Sequence, residues 1–165
     1  MDSEHLTPFI HETVKTFEMM LGAKPEVTEK SSKRSTDGTY DVSAIIGVSG
    51  SATGGVVLSF PEEVACKVAG KMLSEEVTEV TQDVSDAIGE LINIIVGNAK
   101  RDLVKFGYRD LMVSLPNVVV GRHRTVWRSK DMPCHVARFF TSEFGPFCIE
   151  LNIHKAQDVG EQDGR

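Results

Sequence analysis

Five residues in the stretch 83–107, DVSDAIGELINIIVGNAKRDLVKFG, carry groups suited to chemistry or docking: Asp86, Glu90, Asn93, Gly97 and Lys100. The two carboxylates can accept charge-assisted hydrogen bonds. Asn93 brings a carboxamide with an acceptor oxygen and an NH2 donor group, and no useful basicity near neutral pH. Lys100 adds a cation, and Gly97 removes bulk. The residues follow one another at steps of four, three, four and three, the spacing of neighbours on one helix face. At about 100° per residue, with Asp86 at 0°, Glu90 falls at about 40°, Asn93 at about −20°, Gly97 at about 20° and Lys100 at about −40°. Ala87, Ile88, Leu91, Ile92, Ile95, Ala99 and Leu103 occupy the opposite side, between about 100° and 260°. The spacing therefore predicts a helix with one face in a core and a narrow polar stripe facing outward.

Any amphipathic helix can show such a stripe, with its charges simply solvated. Two residues argue for more. Glycine costs up to about 1 kcal/mol in a helix interior relative to alanine. Asparagine is also a poorer helix former than Gln, Lys or Glu, because its amide competes for backbone groups. Gly97 on the outward face leaves room for another surface to come close.

The rest of the chain must hold this helix. A first helix is predicted over 8–21, with Thr7 as N-cap, Pro8 in its first position and Gly22 as its left-handed stop. Ile10, Val14, Phe17 and Leu21 give it an apolar stripe. Residues 26–36 are polar and read as an edge strand or a loop. Strands are predicted over 40–48 and 56–60, joined by a turn, SGSATGG, at 49–55. Pro61 opens a second helix, PEEVACKVAGKML, with Glu62 and Glu63 where the helix dipole favours acids. Residues 74–82 form a polar connection. The long helix spans 83–106 and Gly107 stops it. LMVSLPNVVV (111–120) reads as an edge strand, a bulge or a strand end at Pro116. HRTVWRS (123–129) alternates, CHVARFFTS (134–142) and FCIELNI (147–153) form a hairpin about EFGP, and the tail 155–165 is polar and expected to be disordered. Each half starts with a helix and runs on into extended segments. That pattern predicts α/β or α+β layers, with long helices on a largely antiparallel sheet and a degenerate internal repeat.

Composition sets the class. The 165 residues suit one domain, assigned to 1–154, and 41% hydrophobic with 25% charged residues is an ordinary globular balance. A formal charge of −6 argues against a nucleic-acid surface, which needs clustered Lys and Arg. No apolar run approaches the roughly 20 residues that span a bilayer. MDSEHLTPFIHE lacks a basic segment followed by an apolar one, so no signal peptide is expected and the protein is read as cytoplasmic. Cys66, Cys134 and Cys148 are odd in number and widely spaced. They form neither a disulfide framework nor a metal-ligand pattern, and buried thiols are expected.

The polar stripe then gains a context. Asp86, Glu90 and Asn93, followed by Pro116 twenty-two intervening residues later, resemble the D/S-x3-E-x2-N-x22-P signature of the CheC/CheX/FliY chemotaxis phosphatases. The wider sequence is similar to the CheX-like members. The stretches PFIHETVKTFEMMLG, DVSAIIGVSGSATGGVVLSFPEEVA, DVSDAIGELINIIVGNAKRDL and SLPNVVVG carry this likeness across about residues 6–154.

The resemblance implies a CheC/CheX-like pseudo-repeat fold and hydrolysis of the aspartyl phosphate on a CheY-type response regulator. It implies Glu90 and Asn93 as catalytic residues: Glu90 pairing with a lysine of the receiver domain, Asn93 holding a water in line with phosphorus. Asp86, Gly97 and Lys100 would face the partner, Asp86 alternatively serving only the helix start. No cofactor is implied in this chain, since Mg2+ belongs to the partner's site. CheC-type members repeat the Glu/Asn pair on the first helix; here that helix offers Glu12 and Lys15 instead. One site per chain and a homodimer through the sheet follow as expectations. A docking module that binds a receiver without turnover is the alternative.

Other chemistries find less support. HETVK (11–15) has the start of the HExxH zinc motif without its second histidine. GVSGSATGG lacks the lysine and Ser/Thr of a phosphate loop. The basic run GRHRTVWRSK around Trp127 reads as an exposed strand and turn.

Overall fold

The structure is a computed structural model, and it describes residues 3–33, 40–121 and 134–156. Helix α1 (Leu6–Leu21) leads into strands β1 (Glu26–Lys33), β2 (Val42–Gly50) and β3 (Ala52–Phe60). Helices α2 (Glu62–Leu73) and α3 (Gln82–Leu103) follow, and then β4 (Leu111–Val113), β5 (Asn117–Val120), β6 (Cys134–Thr141) and β7 (Gly145–Lys155). The seven strands form one sheet in the order β1-β6-β7-β3-β2-β4, with β5 also on β2. Every pairing is antiparallel. The α+β layering expected from the sequence is the architecture found.

The three helices share one face of this sheet, and one core lies between the layers. At its centre the Phe147 ring stacks on Phe17 at 4.5 Å, on Phe139 at 4.9 Å and on Phe60 at 5.3 Å between centroids. Helix α1 and the three adjacent strands β6, β7 and β3 are thereby joined by one aromatic group, a geometry that adds to simple area burial. The opposite face carries a smaller cluster of Cys134, Val136 and Cys148, against which Tyr40 packs. All three cysteines are buried thiols outside any disulfide, as the sequence led us to expect. Burial, together with the nearby Glu150 and Cys148, pushes the Cys134 thiol up to about 12.

Local differences from the sequence reading have physical causes. Helix α1 begins at Leu6, and its N-cap position is His5, so Thr7 does not cap it. Pro8 is accommodated because the first-turn N–H groups have no intrahelical partner anyway. Gly22 stops the helix at φ 65° as expected. The buried side of α1 is broader than the apolar stripe and takes in Glu12, Thr13 and Thr16. The helix is covered by both the sheet and α3, which widens the hidden arc. The Thr13 hydroxyl donates to the Phe9 carbonyl at 2.6 Å, so its burial leaves no donor unpaired.

The predicted turn at 49–55 shrinks to the step between Gly50 and Ala52. Gly54 and Gly55 lie inside β3, opposite Ile153 and Asn152 of β7. Gly54, at φ +132°, brings its Cα so near the Asn152 carbonyl that a Cβ would collide with it. These glycines serve close strand approach. At the two ends of the sheet, β1 forms one edge and the β4–β5 pair the other. Pro116 breaks the latter into two short strands, one of the outcomes expected from LMVSLPNVVV. The segment HRTVWRS and the tail from 157 onward lie outside the described residues.

Candidate functional site

Helix α3 begins one residue earlier than predicted. The Thr81 side chain accepts from the Val84 backbone N–H at 3.4 Å, a cap of the kind that contributes about 1 kcal/mol. Its core face holds Ile88, Leu91, Ile92 and Ile95, all at 0% exposure. Burying each such side chain contributes roughly 1.5–3 kcal/mol, and this fixes the helix about its own axis. At the far end a 3₁₀ turn, Val104–Phe106, runs into Gly107 at φ 94°.

That rotation decides where the polar residues point. Asp86, Glu90, Asn93 and Gly97 are exposed, and Lys100 is half-buried. The stripe deduced from spacing is thus present on the surface, with Glu90 and Asn93 neighbours one turn apart and their Cβ atoms about 5–6 Å from each other. Val96, between the stripe and the core face, is buried. A Cβ built at Gly97 meets nothing within 4 Å among the described residues. Packing among the described residues therefore does not require a glycine here, and they leave the space beside it open.

The N-terminal half of the stripe borders a groove of about 380 Å³, lined by Gln82, Ser85, Asp86, Gly89, Glu90, Pro116, Asn117 and Val118. Asp86 accepts a hydrogen bond from the Gln82 amide, one turn earlier on the helix, at 2.9 Å. Glu90 sits on the groove, while Asn93, Gly97 and Lys100 continue the stripe beyond it.

The opposite wall of the groove is the corner between β4 and β5. Its position is set by the Ser114 N–H donating to the Gly47 carbonyl at 2.9 Å and the Gly47 N–H donating to the Ser114 hydroxyl at 2.9 Å. That hydroxyl in turn donates to the Leu115 carbonyl at 3.0 Å. Pro116 then leans on the helix at Gly89, where an added Cβ would sit 3.5 Å from the proline Cγ and 3.6 Å from Val118 Cγ2. Sequence reading singled out Pro116 by its spacing from Asn93 but missed Gly89. A glycine in the middle of a well-formed helix was the available signal, because it carries the same propensity cost as Gly97. Leu115, next to Pro116, is 83% exposed and was also missed; a lone leucine in a loop carries no signal of its own.

Comparison with known proteins gives this geometry a family. The sequence model for chemotaxis phosphatase CheX matches residues 42–140, a span that contains Asp86, Glu90, Asn93 and Pro116. The chain belongs to the CheX family. The CheY-P phosphatase CheX of Thermotoga maritima is 28% identical over 123 residues, 74% of this chain and 79% of that protein. The crystal structure of the chemotaxis protein CheX from Desulfovibrio desulfuricans superimposes with a TM-score of 0.80 at 27% identity, covering 93% of this chain and 99% of its own. The CheX–CheY–BeF3–Mg2+ complex from Borrelia burgdorferi shares the fold at 20% identity, with a TM-score of 0.79 and coverage of 92% and 98%.

Proposed function

We propose that this chain is a phosphatase that hydrolyses the aspartyl phosphate of a CheY-type response regulator in chemotaxis or two-component signalling. The observation that carries the reading is the exposed Glu90–Asn93 pair on a helix locked by its opposite face, within a chain of the CheX family. The Thermotoga relative bears the name of that activity, and a protein of the same fold forms a complex with CheY.

The reaction needs little from the phosphatase. Phosphoryl transfer depends mainly on positioning and charge stabilisation, without a covalent protein nucleophile. Asn93 holds a water in line with phosphorus through its amide; that water's oxygen bonds to phosphorus as the bond to the aspartyl oxygen breaks, releasing phosphate and the aspartate carboxylate. Near-attack positioning of this kind can lower a barrier by several kcal/mol. Glu90 pairs with a lysine of the receiver, a charge-assisted contact that sets the register of the helix. Asp86, Gly97 and Lys100 border the docked partner, with Gly97 leaving clearance. The divalent ion that neutralises phosphoryl charge belongs to the receiver's own site.

We place the protein in the cytoplasm, where a receiver would be found and where reduced buried thiols such as these persist. We further read residues 1–154 as one domain that forms a homodimer through the sheet, which equilibrium sedimentation checks: a monomer at micromolar concentrations defeats it. The decisive experiment mixes purified protein with a phosphorylated CheY-type receiver and follows phosphate loss. Wild type accelerates it, and Asn93→Ala removes most of the effect. Should Asn93→Ala and Glu90→Ala both match wild type, the site is elsewhere. Tight binding of the phosphorylated receiver without faster phosphate release makes the chain a docking module instead.

A further inference from the structure

The first turns of α1 lie against the last turn of α3. His5 closes this end, its ring packed edge-on against Phe106 at 4.7 Å and Tyr108 at 5.4 Å. Just inside it, His11, Glu12 and Asp102 converge, each offering a ligand atom, all within 4.8 Å of one another. The Glu12 side chain is only 8% exposed. One of its oxygens, Oε1, lies 3.4 Å from His11 Nδ1. The other, Oε2, is buried and has no hydrogen-bond partner among the described residues. A buried carboxylate oxygen without a donor is an expensive arrangement unless something positive completes it.

We propose that His11, Glu12 and Asp102 bind a divalent transition-metal ion, with Zn2+ the best match, that clips α1 to the end of α3. The donor set selects the ion. An imidazole with two carboxylates suits zinc and its first-row neighbours, whereas magnesium favours an octahedral shell of oxygens. A tetrahedral zinc with ligands at about 2.1 Å holds neighbouring ligand atoms about 3.4 Å apart. His11 and Glu12 already stand at that separation. Asp102 has only to close a gap of the order of 1 Å, by turning from Lys105, which it now meets at 3.5 Å on the helix surface. His11 is exposed, so water reaches the fourth position. HETVK was set aside as a zinc motif for want of a second histidine; the fold supplies Asp102 from ninety residues away instead. This site is separate from the polar stripe. Asp102 lies nine residues past Asn93, about 13.5 Å along the helix and half a turn around it.

Calorimetric titration of the metal-free full-length protein with Zn2+ tests this, with Mg2+ titrated in parallel. One zinc per chain is expected, binding at least about tenfold more tightly than in His11→Ala or Asp102→Asn, since loss of a ligand weakens a site by that much or more. Zinc should also raise the melting temperature of wild type and not of His11→Ala, whose surface position spares the fold. Glu12→Gln, which changes a buried group, is read only alongside those two. No zinc uptake by wild type overturns the proposal, as does uptake unchanged in His11→Ala and Asp102→Asn, or magnesium binding as tightly as zinc.

Discussion

The two long helices α1 and α3 make an instructive pair. Each opens one half of the chain, and each carries an acid near its middle. In α3, Glu90 points out from a helix whose other side is filled with isoleucine and leucine. In α1, Glu12 turns inward at 6% exposure, beside buried Thr13 and Thr16. The exposed residue three positions after Glu12 is Lys15, whereas Asn93 follows Glu90 at the same interval. The acid of α3 is thus left at the surface, while that of α1 is folded into the contact between the two helices. Similar placement along a helix does not give the two acids the same surroundings; the packing of each helix does.

That contrast can be tested at graded strength. The largest effect is expected for Asn93→Ala, which should slow receiver dephosphorylation by about 100-fold while binding persists, the loss typical of a misplaced reacting group; single-turnover phosphate release measures it. Glu90→Ala removes a charged docking contact of about 1.5–3 kcal/mol and should raise the receiver concentration for half-maximal rate by about tenfold or more. If instead it left that concentration unchanged and lowered only the maximal rate, Glu90 would belong to the chemistry. Gly97→Ala meets open space, so it should stabilise the helix by up to about 1 kcal/mol in denaturant unfolding while costing a few-fold in rate through reduced clearance. The smallest effect belongs to Lys15→Ala on α1, expected to change stability by no more than about 0.5 kcal/mol and the rate not at all. A rate loss there would mean that the first helix still takes part.

These helices also show how far a sequence can be read. The α3 stripe was legible because its apolar positions recur with the helical period over several turns, and burial then obeys that period. The inward turn of Glu12 was not legible. It depends on α3 covering α1 from the side, a contact between residues far apart in the chain. The same holds for the groove. Pro116 and its spacing from Asn93 could be read, but its contact with Gly89 and the Ser114–Gly47 bonds that hold its corner are tertiary. The glycines at 54 and 55 were misplaced into a turn because close strand approach and turning demand the same residue.

Pro116 has one more consequence, away from the groove it walls. It lies in the outermost strand position beside β2, where an unbroken strand would present a ladder of unpaired N–H and C=O groups to other molecules. By cutting that strand into pieces of three and four residues, and removing one donor outright, it leaves an edge too short and too bent to template further pairing. The surface beside the exposed stripe is thereby kept from recruiting stray β-strands, and stays available to a folded protein that approaches the helix.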